Sequence, residues 1–184
     1  MKILFKDFWY KLPIILTFLV FAIYLLLPSP PFPQPMPGSL KSSEPADMED
    51  PLRQGYYTDW DRAQIMDYFF KEFSKQSFLG LSLPIRQLNY PPEEAQTIIR
   101  DQTKSRYLEE FVHPFRDSLF VSGFFAQKDT EVMIVDAHEY KTKVTVKMVP
   151  SNGLIRTSIG LTSLFLVYVA INRLLAQVKE ARRG

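Results

Sequence analysis

Residues 157–172 read TSIGLTSLFLVYVAIN, an uncharged run closed on either side by Arg156 and Arg173. As an α-helix it extends roughly 24 Å, near the lower limit for a hydrocarbon core of about 30 Å, and Leu154, Ile155, Leu174 and Leu175 lengthen it. Between 161 and 171 the residues are apolar nearly all round. A small soluble domain could hardly cover a helix that lacks a polar stripe. The run therefore predicts a transmembrane helix over 154–175.

Upstream lies a second uncharged run, 12–27, LPIILTFLVFAIYLLL, preceded by Phe8, Trp9 and Tyr10, whose amphipathic rings suit the headgroup level. Pro13 is placed in the first turn, where its missing N–H is harmless. A cleavable signal peptide is the alternative. The sequence that follows, PSPPFPQPMPG, has no A-x-A-like pair of small residues and crowds prolines where a peptidase needs extended backbone, so an uncleaved signal anchor is expected. Lys2, Lys6 and Lys11, opposed by Asp7, precede this run, while Arg173, Lys179, Arg182 and Arg183 follow the other. Short basic flanks are retained in the cytoplasm, so both tails, 1–11 and 176–184, are expected inside and the middle outside. The chain has no N-x-S/T acceptor, and a bacterial inner membrane is the expected location.

Composition narrows the function classes. The 184 residues hold 22 basic and 20 acidic side chains for a net charge of +2, which supplies no bulk attraction to nucleic acid. The mean hydropathy near zero averages two apolar runs with a polar middle. There is no cysteine, hence no disulfide framework, thiol nucleophile or cysteine zinc site. Fifteen Phe and nine Tyr supply the material for a core.

Between the runs, Pro28, Pro30, Pro31, Pro33, Pro35 and Pro37 favour an extended polyproline stalk within a linker over 28–55. Residues 38–54 are poor in periodic apolar positions and are expected to hold little order. A folded domain is expected over 56–150. Thr58 and Asp61 suggest a capping box, and Ile65, Met66, Phe69, Phe70 and Phe73 line one face of a helix over 59–75. Pro91, Pro92, Glu93 and Glu94 start a second helix running to about 102, with 76–90 as a loop or short extended piece. Strands are expected at 105–112, 118–125, 131–136 and 141–149; in the last, Val144, Val146 and Met148 alternate with Lys143, Thr145 and Lys147. The fold class is thus α+β: two helices on one face of a small antiparallel sheet of about four strands, between two transmembrane helices.

Chemistry-bearing motifs are sparse. The histidines are His113 and His138. His138, Glu109 and Glu110 could converge as catalytic groups, and the charged stretch 101–117 could hide an acid and a base. No HExxH, GxSxG or glycine-rich phosphate loop is present, so no metal or cofactor is expected. Lys143 and Lys147 sit on a strand leading into the last apolar run, which suggests contact with anionic headgroups or polymer. Ser158, Gly160 and Thr162 allow another helix to approach closely.

Two terminal spans around an external α+β domain resemble the topology of bacterial polysaccharide co-polymerases. The resemblance is one of topology only: here the prolines follow the first span and the external part is smaller, so it implies no site residue. A binding, scaffolding or assembly role for the external domain is favoured over catalysis. The alternatives are a membrane-tethered hydrolase or transferase using 101–117 with His113 or His138, and an accessory subunit of a larger membrane complex. The expected partners are the membrane and other envelope proteins or further copies of the chain, with no nucleic acid.

Overall fold

The computed structural model describes residues 2–100, 102, 104–128 and 131–182, with side chains described from residue 11 onward. Asp101, Arg183 and the side chains of Lys2, Lys6, Asp7, Phe8, Trp9 and Tyr10 lie outside the described residues. In chain order come α1 (Lys2–Leu26), β1 (Leu40–Lys41), α2 (Pro45–Met48), β2 (Arg53–Thr58) and α3 (Arg62–Ser74). Next are β3 (Ser77–Phe78), β4 (Leu81–Ser82), β5 (Arg86–Tyr90), a 3-10 turn (Pro92–Glu94) and α4 (Ala95–Ile98). The chain finishes with β6 (Tyr107–Val112), β7 (Ser118–Phe125), β8 (Met133–Val135), β9 (His138–Tyr140), β10 (Thr142–Val149) and α5 (Gly153–Ala181). These elements form two compact units, one from Met1–Pro28 with Ser151–Gly184 and one from Ser29–Pro150.

In the first unit, α1 and α5 pack together. The less exposed positions of α1, Phe18, Phe21, Ala22 and Leu25, recur at helical spacing, as do Thr157, Gly160, Leu161 and Leu164 on α5. A Cβ on Gly160 would come within 2.5 Å of Leu25 Cδ1, so the close approach requires glycine there. Ser158 and Thr162 are exposed instead. Asn152 caps α5, its side chain accepting from the N–H groups of Leu154 and Ile155. The Arg156 guanidinium donates to the carbonyls of Leu25 and Leu27, satisfying orphan acceptors at the end of α1.

Only α5, among the described residues, is long and apolar enough to cross a membrane; the apolar part of α1, Lys11–Leu26, is too short. The expectation of two transmembrane helices flanking a small domain is overturned. The reason lies in α1 itself, whose 25 residues begin with a charged segment, leaving an apolar stretch of roughly 24 Å. That early start also puts Pro13 inside the helix rather than in its first turn.

The second unit holds a six-stranded antiparallel sheet in the order β1-β2-β10-β7-β6-β5, not the expected four strands. β8 leaves the main sheet to pair with β9, so β7 and β10 become direct neighbours and β2 and β5 extend the sheet outward. Tyr107, Phe111, Leu119, Val121, Val144, Val146, Met148 and Tyr56 face α3, whose Ile65, Met66, Phe69 and Phe73 complete the core. The cap of α3 is Asp61, which accepts from Gln64 N–H while the Gln64 side chain returns to Asp61 N–H; Thr58 is not the capping residue.

Both faces of the sheet are covered, rather than one. The second predicted helix shortens to the 3-10 turn and α4, because Ile99 turns extended (φ −116°, ψ 98°), and Ala95 and Ile99 pack with Leu108 on the far face. The proline-rich segment is not a free stalk: Met36 is buried in the core, and the Tyr68 hydroxyl donates to Pro35 O at 2.9 Å. Residues 38–54, expected to hold little order, contribute β1, α2 and the start of β2.

Candidate functional site

On the far face of the sheet, β10 presents Lys143, Thr145 and Lys147, since its valines and Met148 are committed to the core. Lys143 sits opposite Phe124 of β7 and Tyr57 of β2. Here α2 lays two carboxylates over the strands. Lys143 Nζ lies 2.7 Å from Glu44 Oε2 and 3.0 Å from Asp47 Oδ2, with its ammonium 5.6 Å from the centroid of the Tyr57 ring. The Tyr57 hydroxyl donates to Glu44. Gly55 is required beneath this group, because a Cβ there would meet Asp47 Oδ2 at 2.3 Å.

The charges tune one another. Burial disfavours the Lys143 ammonium, but the hydrogen bonds to Glu44 and Asp47 outweigh it and hold its pKa above the ordinary value. Glu44 is held below the carboxylate range by the Lys143 hydrogen bond and then by Tyr57. Burial, then the bond to Glu44, pushes the Tyr57 phenol up.

This network forms one wall of an open cleft of about 790 Å³, lined also by Lys104, Arg106, Phe124, Glu131, Val132 and Met133. Its volume falls in the range of small-ligand sites. Arg106 stacks over the Phe124 ring at 5.6 Å and reaches Glu131 only at 3.4 Å. Glu131 is engaged by Gln127 N–H at 2.9 Å, the main cause of its lowered pKa. Lys104 makes no ion pair among the described residues. Among the described residues the carboxylates lining the cleft are therefore engaged, and the charge left without an ion pair is that of Lys104, set in the same cleft as Phe124, Val132 and Met133.

The structure separates the three catalytic candidates. Adjacent residues of a strand point to opposite faces, so Glu109 and Glu110 diverge. Glu109 is buried on the α3 side and accepts from Arg62 Nε at 2.8 Å and from Gln87. Glu110 accepts on the far side from Tyr90 at 2.6 Å, a bond that raises the Tyr90 pKa to about 12, and from Ser118. His138 is exposed in the β8–β9 hairpin, 3.4 Å from Asp59. His113 is buried, stacked on Phe73, with Nδ1 3.1 Å from Pro84 O and Nε2 3.3 Å from Phe73 O. Burial pushes its pKa down. Lys147 donates to Ile98 O at 3.1 Å, so both strand lysines have internal acceptors. Gly160 packs under α1 as described.

Sequence reasoning singled out Lys104 and Arg106 only as members of a charged stretch and passed over Glu44 and Asp47. Their shared site depends on a pairing of strands distant in sequence, which spacing along the chain does not carry. No family model, curated protein or solved structure matches the chain.

Proposed function

We propose that this protein is a membrane-anchored binding module whose cleft accepts an acidic, partly apolar segment of another envelope polypeptide. The observation that carries this reading is Lys104, which makes no ion pair among the described residues, set in one cleft with the Arg106–Glu131 pair and the apolar side chains of Phe124, Val132 and Met133. A segment bearing a carboxylate next to an apolar side chain complements that surface. The cleft lies where β7 ends and β10 begins, opposite the end of β10 that leads into α5.

Orientation follows from charge. Lys143 and Lys147 are engaged inside the folded unit and Arg156 caps α1, whereas Arg173, Lys179 and Arg182 follow the apolar stretch. The end of the chain is on the cytoplasmic side of an inner membrane and residues 29–150 are outside.

Photo-crosslinking in intact membranes tests the reading. A photoreactive residue at Phe124 or Met133 is expected to give one discrete polypeptide adduct that is absent when the probe replaces Glu139. The adduct should disappear with Lys104→Glu and Arg106→Glu. An adduct indifferent to that charge reversal, or none at all, sinks the proposal.

A further inference from the structure

At the other end of the sheet a second surface is left open. Val149 pairs with Ser118, and Ser118 with Val112, which in turn pairs with Arg86, so the end of β10, the β6–β7 turn and the start of β5 lie together. The chain enters and leaves the second unit at this end. Ser29, its first residue, donates to Asp117 in the β6–β7 turn at 2.7 Å, and α5 begins at Gly153, just beyond Val149.

The base of the β3–β4 arm meets the same end at His113, whose Nε2 lies 3.3 Å from Phe73 O ahead of the arm and whose Nδ1 lies 3.1 Å from Pro84 O behind it, the neutral ring donating to one of the two. At the tip of the arm Leu79 is 85% exposed and Leu81 73% exposed, and in the β6–β7 turn Phe115 is 74% exposed. Leu79 (φ 52°) and Phe115 (φ 62°) hold left-handed backbone, which disfavours bulky side chains and is retained where a surrounding constraint or a role maintains it. Arg86, exposed at the same end, makes no ion pair among the described residues.

We infer that the β3–β4 arm and Phe115 of the β6–β7 turn insert into the interfacial layer of the bilayer that α5 crosses. Leucine and phenylalanine bury readily at the boundary of headgroups and acyl chains, with basic residues at headgroup level. The arm fixes the folded unit at a second point besides its covalent link to the helix. This rests on the reading that α5 spans the membrane.

The chain has no cysteine, so single substitutions give unique labelling sites. The full chain in liposomes is labelled with an environment-sensitive fluorophore at Leu79→Cys, Leu81→Cys, Ile134→Cys or Leu166→Cys. Ile134 is 71% exposed in the β8–β9 hairpin and equally apolar, so it controls for mere stickiness; Leu166 lies within α5. Lipids carrying a spin-label quencher near the headgroup are expected to quench labels at 79 and 81 several-fold more than at 134, with 166 quenched by deep-chain spin labels. Quenching at 166 with 79 and 81 no different from 134 overturns the insertion and leaves the span intact. Absence of quenching at 166 overturns both.

Discussion

Single side chains decide how the far face of the sheet is held together. Lys143 joins a half-exposed and a buried carboxylate, and its removal leaves Asp47 with an uncompensated charge. Lys143→Met is expected to cost about 3–5 kcal/mol in denaturant unfolding, partly restored by adding Asp47→Asn; a loss below about 1 kcal/mol would contradict the network. His113 supplies the pH dependence. Burial lowers its folded pKa below the ordinary value of about 6.5, so the unfolded chain takes up the proton first as the medium acidifies. Its contribution is complete above about pH 6.5 and is lost as pH falls through that value toward the folded pKa. The Tm is expected to drop between about pH 7.5 and 5.5 and the slope to flatten in His113→Gln, whereas equal slopes would exclude the residue. None of this was legible at 113, where histidine before proline looks like simple turn chemistry; two carbonyls distant in sequence give the ring its setting.

Elements were legible where pattern and packing coincide. The aromatic face of α3 and the alternation in β10 showed directly in sequence because each element buries one face and shows the other. β5 escaped because its residues are nearly all exposed at the sheet edge, leaving no alternation to detect. β2 escaped because Arg53, Gln54 and Gly55 interrupt the pattern, Gly55 being there to admit Asp47. The cap of α3 fell three residues later than Thr58, at the reciprocal Asp61–Gln64 pair. Asp61→Ala is accordingly expected to cost about 1 kcal/mol, read as a shift in the denaturation midpoint with unchanged slope. A midpoint equal to that of the unaltered chain would argue against the cap.

For the whole molecule, hydropathy found both apolar helices but overstated what the first can do. α5 is expected to suffice for anchoring: the full chain should remain in membranes through an alkaline carbonate wash, and a chain ending at Pro150 should be released. Retention of the shortened chain would assign anchoring to α1. The cleft was illegible because its walls, 44, 46, 102, 104–106, 124, 131–133 and 143, meet only through the sheet order. That order also governs the sequence of events at the ribosome. β10 lies between β2 and β7, yet it is made after both, and α1 must wait longer still for Arg156 and the glycine of α5 that it packs upon. Until translation has passed β10, the nascent chain carries two strands whose shared neighbour does not yet exist, so the sheet closes by insertion of its middle, not by growth from one edge.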